Sequence, residues 1–206
     1  KKRWKNNMKK ITVYKILLIV LVIIAIILAG LVARKYLTEQ EIENNAQEVV
    51  SRIQVQKTSN EQLDIIEEIN EQIEGYQVIG IINIPKIGIE YPILEKTDTT
   101  SLKLSITKFW GDKVNQIGNV VLAGHNYLSD KMFGKINKLE NGDIIELTDK
   151  QRVTIKYQVF KTYIVDPNDI TCILAENENS REVTLITCTN GNKERLIVKA
   201  REVKEI

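Results

Sequence analysis

A cysteine and an arginine flank one predicted β-hairpin in the last fifth of the sequence. Cys188 ends a β-branched run, and Arg195 opens a second such run after a polar Thr-Asn-Gly-Asn-Lys loop. Val, Ile and Thr favour pleated surfaces, and Asn-Gly-Asn favours a tight turn. The pattern therefore predicts a hairpin of residues 182–189 with 194–203, in which Cys188 and Arg195 can face the same side.

The only histidine of the chain, His125, ends another apolar run that is predicted to be a buried strand. A nucleophilic thiol needs exposure, a partner that favours the thiolate, and a donor for the oxyanion that it generates. Cys188, His125 and Arg195 could supply the nucleophile, the proton transfer and a permanently charged donor. These residue types together support acyl transfer from an amide carbonyl.

Each of these residues also has a structural explanation. Cysteine is often buried, a lone histidine usually lies on a surface or in a satisfied core, and an arginine that opens a strand often protects an edge. Arg181 and Arg201 are rivals of Arg195 that spacing does not exclude. The second cysteine, Cys172, is interpreted as a small buried residue, and a disulfide with Cys188 would block the nucleophile.

The N-terminal segment has the pattern of a membrane anchor. Residues 16–33 are uninterrupted apolar, and as a helix they are roughly 27 Å long, which is enough to cross a bilayer core. Seven Lys or Arg precede this run and only two follow before the first acids, so the positive-inside rule predicts a cytoplasmic N-terminus. A cleaved signal peptide is the alternative, but the run is long and Leu-Val-Ala is a poor cleavage site.

Four segments are predicted along the chain: a basic cytoplasmic tail (1–15), a transmembrane helix (16–35), a helical stalk (36–75) and a β-rich domain (76–206). A capping box is predicted at 38–41, and apolar residues then recur at helical spacing, with an interruption at 57–60 and a second capping box at 59–62. Gly75 is predicted to end the stalk.

From residue 77 onward the hydrophobic period changes to that of strands. Short β-rich runs alternate with turn signals such as Asn-Gly-Asp, and the helical segments are short. The pattern predicts a mainly β domain of seven or eight strands that form a closed or nearly closed barrel.

Composition and charge narrow the class of protein. The first 35 residues carry nine Lys or Arg and no acid, while the rest carries 20 basic against 27 acidic residues, a net charge of −7. An acidic body repels phosphate, so nucleic-acid binding is disfavoured. Two cysteines and one histidine cannot complete a four-ligand zinc site without carboxylates, so structural zinc is not expected.

The motifs around the two candidate catalytic residues resemble those of sortases. Thr-Leu-Ile-Thr-Cys at 184–188, followed by Arg195, is similar to the sortase signature Thr-Leu-x-Thr-Cys…Arg. Asn-Val-Val-Leu-Ala-Gly-His-Asn at 119–126 is similar to the strand that delivers the sortase histidine, and 80–89 is similar to the opening strands. The resemblance covers about residues 76–204, and the order His, Cys, Arg agrees with the family.

The resemblance implies a sortase-type β-barrel and a membrane-anchored cysteine transpeptidase of Gram-positive bacteria. Such enzymes cleave a C-terminal sorting signal of the Leu-Pro-x-Thr-Gly type, hold the protein as a thioester and pass it to an amine. The implied partners are surface proteins that bear the signal and a cell-wall precursor amine of the lipid II type. By this match His125 is the general acid and base, Cys188 the nucleophile and Arg195 the oxyanion-stabilising residue, and Thr187 is a substrate-contacting or supporting position.

The ordinary pKa values of cysteine and histidine, about 8.5 and 6.5, let thiolate and imidazolium coexist only in a minority of molecules. Such a distribution is compatible with a slow enzyme.

The sequence does not resemble one sortase subclass throughout. His125 and its neighbours are somewhat similar to class B, but 166–181 is too short for the long class B helix. The lack of a second apolar span disfavours class C, which leaves a class A-, D- or E-like enzyme. Class A members can bind calcium through acidic loops; the acids here form no diagnostic set, so no metal or cofactor is assigned.

Two other functions remain open at the level of sequence. A membrane-tethered, non-catalytic β-barrel that binds or scaffolds would use Cys188 and His125 structurally. A thiol hydrolase would use the same residues with water as the acceptor.

Overall fold

The computed structural model describes residues 2–61, 68–111 and 113–203 of the 206-residue chain. It begins with a long helix, α1 (Lys2–Glu61). Two compact units are present, residues 1–42 and 43–206. In α1, Tyr14–Gln56 contains an 18-residue window of mean hydropathy 3.5, none of it buried. By length and composition this N-terminal helix could cross a membrane.

The second unit contains the C-terminal part of α1 and, among its described residues, nine strands and one short helix, α2. The elements are β1 (Gln72–Ile73), β2 (Tyr76–Ile84), β3 (Ile89–Leu94), α2 (Ser101–Leu104), β4 (Ile106–Trp110), β5 (Gly118–Ala123), β6 (Ile144–Asp149), β7 (Thr154–Val165), β8 (Arg181–Thr189) and β9 (Glu194–Glu202). Three short 3₁₀ helices lie in the connections, at Pro85–Ile87, Ile136–Lys138 and Thr171–Ile173.

Strands β2 to β9 form a closed eight-stranded barrel. The strands are hydrogen-bonded in the order β2-β3-β4-β5-β8-β9-β7-β6, and β6 pairs with β2 to close the sheet on itself. Gly80 lies at this closure, where an added Cβ would overlap the carbonyl oxygen of Thr148. The strands therefore approach more closely than a side chain would allow, and the predicted seven- to eight-stranded closed barrel is confirmed.

Side-chain alternation separates an apolar interior from a second, outer face. Along β8, Val183 and Leu185 belong to the main core cluster, together with Leu122 of β5 and Val198 of β9. Because successive side chains of a strand point to opposite faces, Thr184, Ile186 and Cys188 share the outer face of the barrel.

Residues 49–53 of α1 pack on the barrel and form a second apolar cluster with it. Val49, Val50 and Ile53 are each at most 3% exposed and contact Val78, Ile81 and Leu94 of the barrel. These positions recur at helical spacing, as the sequence pattern predicted.

The stalk differs from its predicted secondary structure at its C-terminal end. Helix α1 is unbroken through 38–41 and 57–60 to Glu61, so the predicted interruption and both predicted capping boxes are wrong. Residues 62–67, which the second helix would have contained, lie outside the described residues. Beyond them Gln72 and Ile73 pair with Gln77 and Tyr76 as a β-bridge pair, because Glu74 and Gly75 form a tight turn with left-handed backbone angles. The division into tail, anchor, stalk and barrel at 15, 35 and 75 stays a prediction.

Candidate active site

Two adjacent parallel strands bring His125 and Cys188 to the same end of the barrel. Ala123, at the end of β5, is in register with Ile186 of β8. The contact continues past β5, because the Gly124 N–H donates to the Ile186 carbonyl at 3.2 Å. Two residues later, the side-chain amide of Asn126 donates to the Cys188 carbonyl at 2.9 Å. His125 therefore lies between two residues that are hydrogen-bonded to the strand that carries Cys188.

Arg195 is the arginine that the fold places beside Cys188. The two residues are direct partners in the antiparallel β8–β9 pair, so their side chains share one face. Its Nη1 donates to the carbonyls of Asn192 (3.1 Å) and Glu194 (3.0 Å) in the hairpin turn. The rivals lie near the other end of the hairpin, where Arg181 pairs with Glu202 at 2.9 Å and Arg201 with Glu182 at 2.7 Å.

The three candidate residues line one groove of about 310 Å³ on the outer face of the barrel. Cys188 and His125 are half-buried, so the thiol is not sealed in the core. The other walls are largely apolar and come from β4, the end of β7, β9, and the connections before β4 and after β7. Their side chains are Leu102, Phe109, Val165, Pro167, Ile170, Ile173 and Ile197.

The β7–β8 connection, residues 166–180, forms one wall of the groove and is held by buried charged groups. Glu182, which is 2% exposed, accepts the backbone N–H groups of Glu176 (2.7 Å) and Asn177 (3.1 Å). Lys199, which is 3% exposed, donates to the Leu174 carbonyl at 2.7 Å, and burial lowers its pKa. The connection is therefore fixed at its C-terminal half.

Cys172 lies in the same wall but has a different environment from Cys188. It is 3% exposed, and both cysteines are free thiols. Burial, and then the charge of Asp169, raise the pKa of the Cys172 thiol. A higher pKa lowers the thiolate fraction, which agrees with the interpretation of Cys172 as a buried, non-nucleophilic residue.

The environment of His125 favours its neutral form. Burial, and then the positive charge of Lys103, lower its pKa from the ordinary histidine value. The imidazole ring also lies against the Tyr127 ring, with centroids 5.2 Å apart and planes tilted by 56°. The imidazole is thus prepared to accept a proton at neutral pH, and its orientation is restricted by an aromatic contact.

Thr187 directly precedes Cys188 on β8 and also lines the groove. Its side chain is 2% exposed, and its hydroxyl donates to the Gly124 carbonyl at 2.7 Å. This bond ties the residue before the cysteine to the residue before the histidine. The predicted contact of Thr187 with substrate stays a prediction.

The groove offers little for a metal ion. Within residues 2–61, 68–111 and 113–203, no group of three or more His, Cys, Asp or Glu side chains is arranged to hold one. Asp169 lies at the groove, but its carboxylate accepts the hydroxyl and N–H of Thr171, and these bonds lower its pKa. The expectation of no metal or cofactor stays a prediction.

Several residues of the site were not singled out in the sequence. Phe109 lies in β4 and lines the groove. Asn126 and Tyr127 follow the histidine directly and contact Cys188 and His125. Their position next to the single histidine was the signal that could have found them. Lys103 is 22 residues before His125, and only the folded structure shows that its charge acts on the imidazole.

Comparison with protein families gives a match over most of the barrel. The family model described as the Sortase domain matches residues 82–203. The chain is 29% identical to Sortase A of Bacillus anthracis over 206 residues, which covers 93% of this chain and 95% of that protein. It is also 34% identical to Sortase D of Bacillus subtilis (strain 168) over 116 residues, 56% of each chain.

Solved structures give the same result at the level of the fold. The chain is similar to Sortase A from Corynebacterium diphtheriae, with a TM-score of 0.58 and 31% identity over 64% of this chain and 63% of that one. It is also similar to the Clostridium perfringens Sortase D5 transpeptidase, with a TM-score of 0.59 and 26% identity over 79% and 98% of the two chains. The family and the fold support a transpeptidase function in general. From the matched barrel, with His125, Cys188 and Arg195 at one groove, we conclude that the chain belongs to the sortase family.

Proposed function

We propose that the chain is a cysteine transpeptidase that cleaves a C-terminal sorting signal of the Leu-Pro-x-Thr-Gly type and transfers the protein to an amine of the cell wall. The observation that carries this proposal is the shared groove of Cys188, His125 and Arg195. Family membership supports the reaction class, and the residue roles follow from the chemistry of the three side chains.

In the first half-reaction the Cys188 thiolate attacks the carbonyl carbon of the Thr–Gly peptide bond. Charge develops on the carbonyl oxygen, and the Arg195 guanidinium stabilises it. The C–N bond then breaks, and protonated His125 gives its proton to the leaving glycine amine. The products are a thioester on Cys188, the released C-terminal peptide and a neutral imidazole.

In the second half-reaction an amine attacks the thioester carbonyl carbon. Neutral His125 accepts the proton of that amine, a new amide bond forms, and the C–S bond breaks to regenerate the thiolate. The lowered pKa of His125 favours the neutral imidazole, which is the form that can accept this proton. It also makes the imidazolium needed in the first half-reaction a minor species at neutral pH, so the first step is expected to be slow.

The groove and one relative support the proposed substrate. Leu102, Phe109 and Ile170 give the groove apolar walls, which suit the Leu and Pro side chains of such a signal. Sortase C of Clostridium perfringens, 28% identical with a TM-score of 0.56 over 66% of this chain and 79% of that one, has been solved with the C-terminal cell wall sorting motif. The proposed protein substrate bears this signal, and the proposed acceptor is a lipid II-type amine.

We also propose that α1 anchors the chain in the cell membrane as a single span, with the N-terminus in the cytoplasm and the barrel outside. The apolar window of α1 and the seven Lys or Arg that precede residues 16–33 support this orientation. An external barrel would have access to surface proteins and cell-wall precursors.

Turnover of a fluorogenic Leu-Pro-x-Thr-Gly peptide, with and without an amine acceptor such as triglycine, tests the proposal. We expect cleavage and an amine-dependent ligation product, loss of both in Cys188→Ala, and retention of both in the matched control Cys172→Ala. Product that forms only by hydrolysis would indicate a thiol hydrolase. No turnover, with Cys188→Ala indistinguishable from wild type, would indicate a non-catalytic barrel.

A further inference from the structure

The buried hydroxyl of Tyr91, on β3, lies between helix α1 and the loop that carries His125. Tyr91 is 3% exposed; its hydroxyl is 2.6 Å from the Glu43 carboxylate and 3.1 Å from the Met132 nitrogen. A backbone N–H can only donate, so the hydroxyl accepts from Met132 and donates its proton to Glu43. Burial, and then the bond to Glu43, raise the pKa of Tyr91, so the hydroxyl keeps the proton that this arrangement needs.

The backbone of Met132 has an unfavourable conformation, and the hydrogen bond from its N–H to the Tyr91 hydroxyl helps to hold it. Its φ angle is +49°, a left-handed conformation that an L-residue adopts at some cost in energy, and its side chain is 2% exposed. Met132 forms a β-bridge with Asn126, and the Phe133 N–H donates to the His125 carbonyl at 3.0 Å. The loop from 125 to 133 therefore closes on itself at the residue that Tyr91 contacts.

The same loop reaches the nucleophile. Asn126, the bridge partner of Met132, donates its side-chain amide to the carbonyl of Cys188 at 2.9 Å. The contacts thus run from Glu43 in α1, through Tyr91 and Met132, to Asn126, which follows His125 in the sequence and is hydrogen-bonded to Cys188. Hydrogen bonds in such a series polarise one another, and the Glu43 carboxylate strengthens the hydroxyl as an acceptor.

We propose that Tyr91 is a positioning residue for the transpeptidation described above, and that it couples the docking of α1 at Glu43 to the placement of His125 opposite Cys188. The inference rests on the proposed function for its effect on catalysis. Its effect on His125 is independent of that function and can be measured in the resting protein.

The chain offers variants that separate this role from simple packing of the helix. Tyr91→Phe keeps the buried ring and removes only the hydroxyl. Glu43→Ala removes the carboxylate, while Glu43→Gln keeps an oxygen that can accept the bond. Arg52, further along α1, forms an ion pair with Glu71 at 3.5 Å and does not contact Glu43, so Arg52→Ala is the matched control for a lost contact between this helix and the rest of the second unit.

The experiment uses the full chain in detergent micelles with isotope-labelled histidine. Because His125 is the only histidine of the chain, its ring signal in a carbon–proton correlation spectrum needs no assignment. Steady-state kinetics with the sorting-signal peptide are measured on the same variants. Misplacement of a catalytic group by even an ångström lowers the rate markedly, so we expect Tyr91→Phe and Glu43→Ala to reduce kcat by roughly tenfold to a hundredfold with little change in KM.

We expect the His125 signal to move or broaden in Tyr91→Phe and Glu43→Ala, to stay near wild type in Arg52→Ala, and to return toward wild type in Glu43→Gln. An unchanged signal in Tyr91→Phe would overturn the inference, and so would an equal change in Arg52→Ala. If the wild-type protein turns over no peptide, the proposed function fails, but the comparison of spectra still decides the coupling of Tyr91 to His125.

Discussion

At the scale of single residues, the proposed chemistry depends on how His125 is charged. Its half-buried imidazole and the positive charge of Lys103 both disfavour the imidazolium, and both lower its pKa. Cys188, its proposed partner, lies at the same groove on the neighbouring strand. Lys103, which takes no part in the proposed reaction, therefore lowers the fraction of molecules in which His125 is an imidazolium.

Replacement of Lys103 by glutamine is expected to raise the pKa of His125 toward the ordinary histidine value. A positive charge nearby disfavours the imidazolium, so its removal stabilises the protonated form and moves the titration to higher pH. The measurement is a pH titration of the single histidine signal by NMR. Lys96→Gln, which removes an exposed positive charge that does not act on His125, is the control. An unchanged or lower pKa in Lys103→Gln would contradict the assignment.

Arg195→Ala is expected to lower kcat for the sorting-signal peptide by roughly a hundredfold to a thousandfold, with a smaller effect on KM. The guanidinium is in register with Cys188 and is proposed to stabilise charge that exists only during the reaction. Lys193→Ala removes an exposed charge from the same turn and is expected to leave kcat within about twofold of wild type. Equal rates for the two variants would exclude Arg195 from the mechanism.

At the scale of elements, the hairpin and the histidine strand are predictable from local sequence, because β-branched runs and Asn-Gly-Asn turn chemistry act over a few residues. In the structure Asn190, Gly191 and Asn192 all have left-handed backbone angles, which is why the turn requires those residue types. The end of the stalk was not predictable in this way. Its secondary structure is set by the pairing of Gln72 and Ile73 with Gln77 and Tyr76 across a turn.

The contacts of Tyr91, Lys103 and Phe109 also depend on residues far apart in the sequence. Tyr91 is hydrogen-bonded to Glu43, which lies 48 residues before it in the sequence, and to Met132, which lies 41 residues after it. No hydrophobic periodicity or sequence motif predicts such contacts. The candidate catalytic residues could be predicted because their order and local motifs are specific, whereas the groove walls and supporting contacts required the folded barrel.

The connection from 166 to 180 is expected to depend on Glu182 for its stability. Glu182→Ala would leave Arg201 and two backbone N–H groups without their carboxylate acceptor, and loss of hydrogen bonds to a charged group costs about 1.5 to 3 kcal/mol. Urea unfolding measures this cost. Glu176→Ala removes a carboxylate from the same connection whose ion pair with Lys161 is solvent-exposed, and it is expected to cost about 1 kcal/mol or less. Similar losses in both variants would contradict the anchoring role of Glu182.

At the scale of the whole molecule, the last turns of α1 belong to the folded body that contains the barrel. Val49, Val50 and Ile53 are buried against β2 and β3, and Arg152 donates to the Ile53 carbonyl at 2.7 Å. The helix is therefore packed and hydrogen-bonded on the barrel surface over this part of its length. This packing is the physical basis for the proposed influence of Glu43 on the active-site loop.

Ile53→Ala is expected to destabilise the second unit by about 2 to 5 kcal/mol, because it leaves a cavity at a side chain that is 2% exposed. Val55→Ala, on the same helix at a side chain that is 65% exposed, is expected to change stability by less than about 0.5 kcal/mol. Unfolding of the full chain by urea, followed by fluorescence, gives both values. A loss in Ile53→Ala no larger than that in Val55→Ala would show that this part of α1 does not pack on the barrel in solution.

The central claim is that Cys188 forms a thioester with the threonine carbonyl of a sorting signal. Intact-mass spectrometry of the chain, quenched in acid during reaction with a Leu-Pro-x-Thr-Gly peptide in the absence of an amine acceptor, tests it directly. We expect an adduct with the mass of the peptide through its threonine, lost on treatment with hydroxylamine, present in Cys172→Ala and absent in Cys188→Ala. A chain that cleaves the peptide while no adduct accumulates on Cys188 under any quench time, or an adduct that persists in Cys188→Ala, would contradict the account.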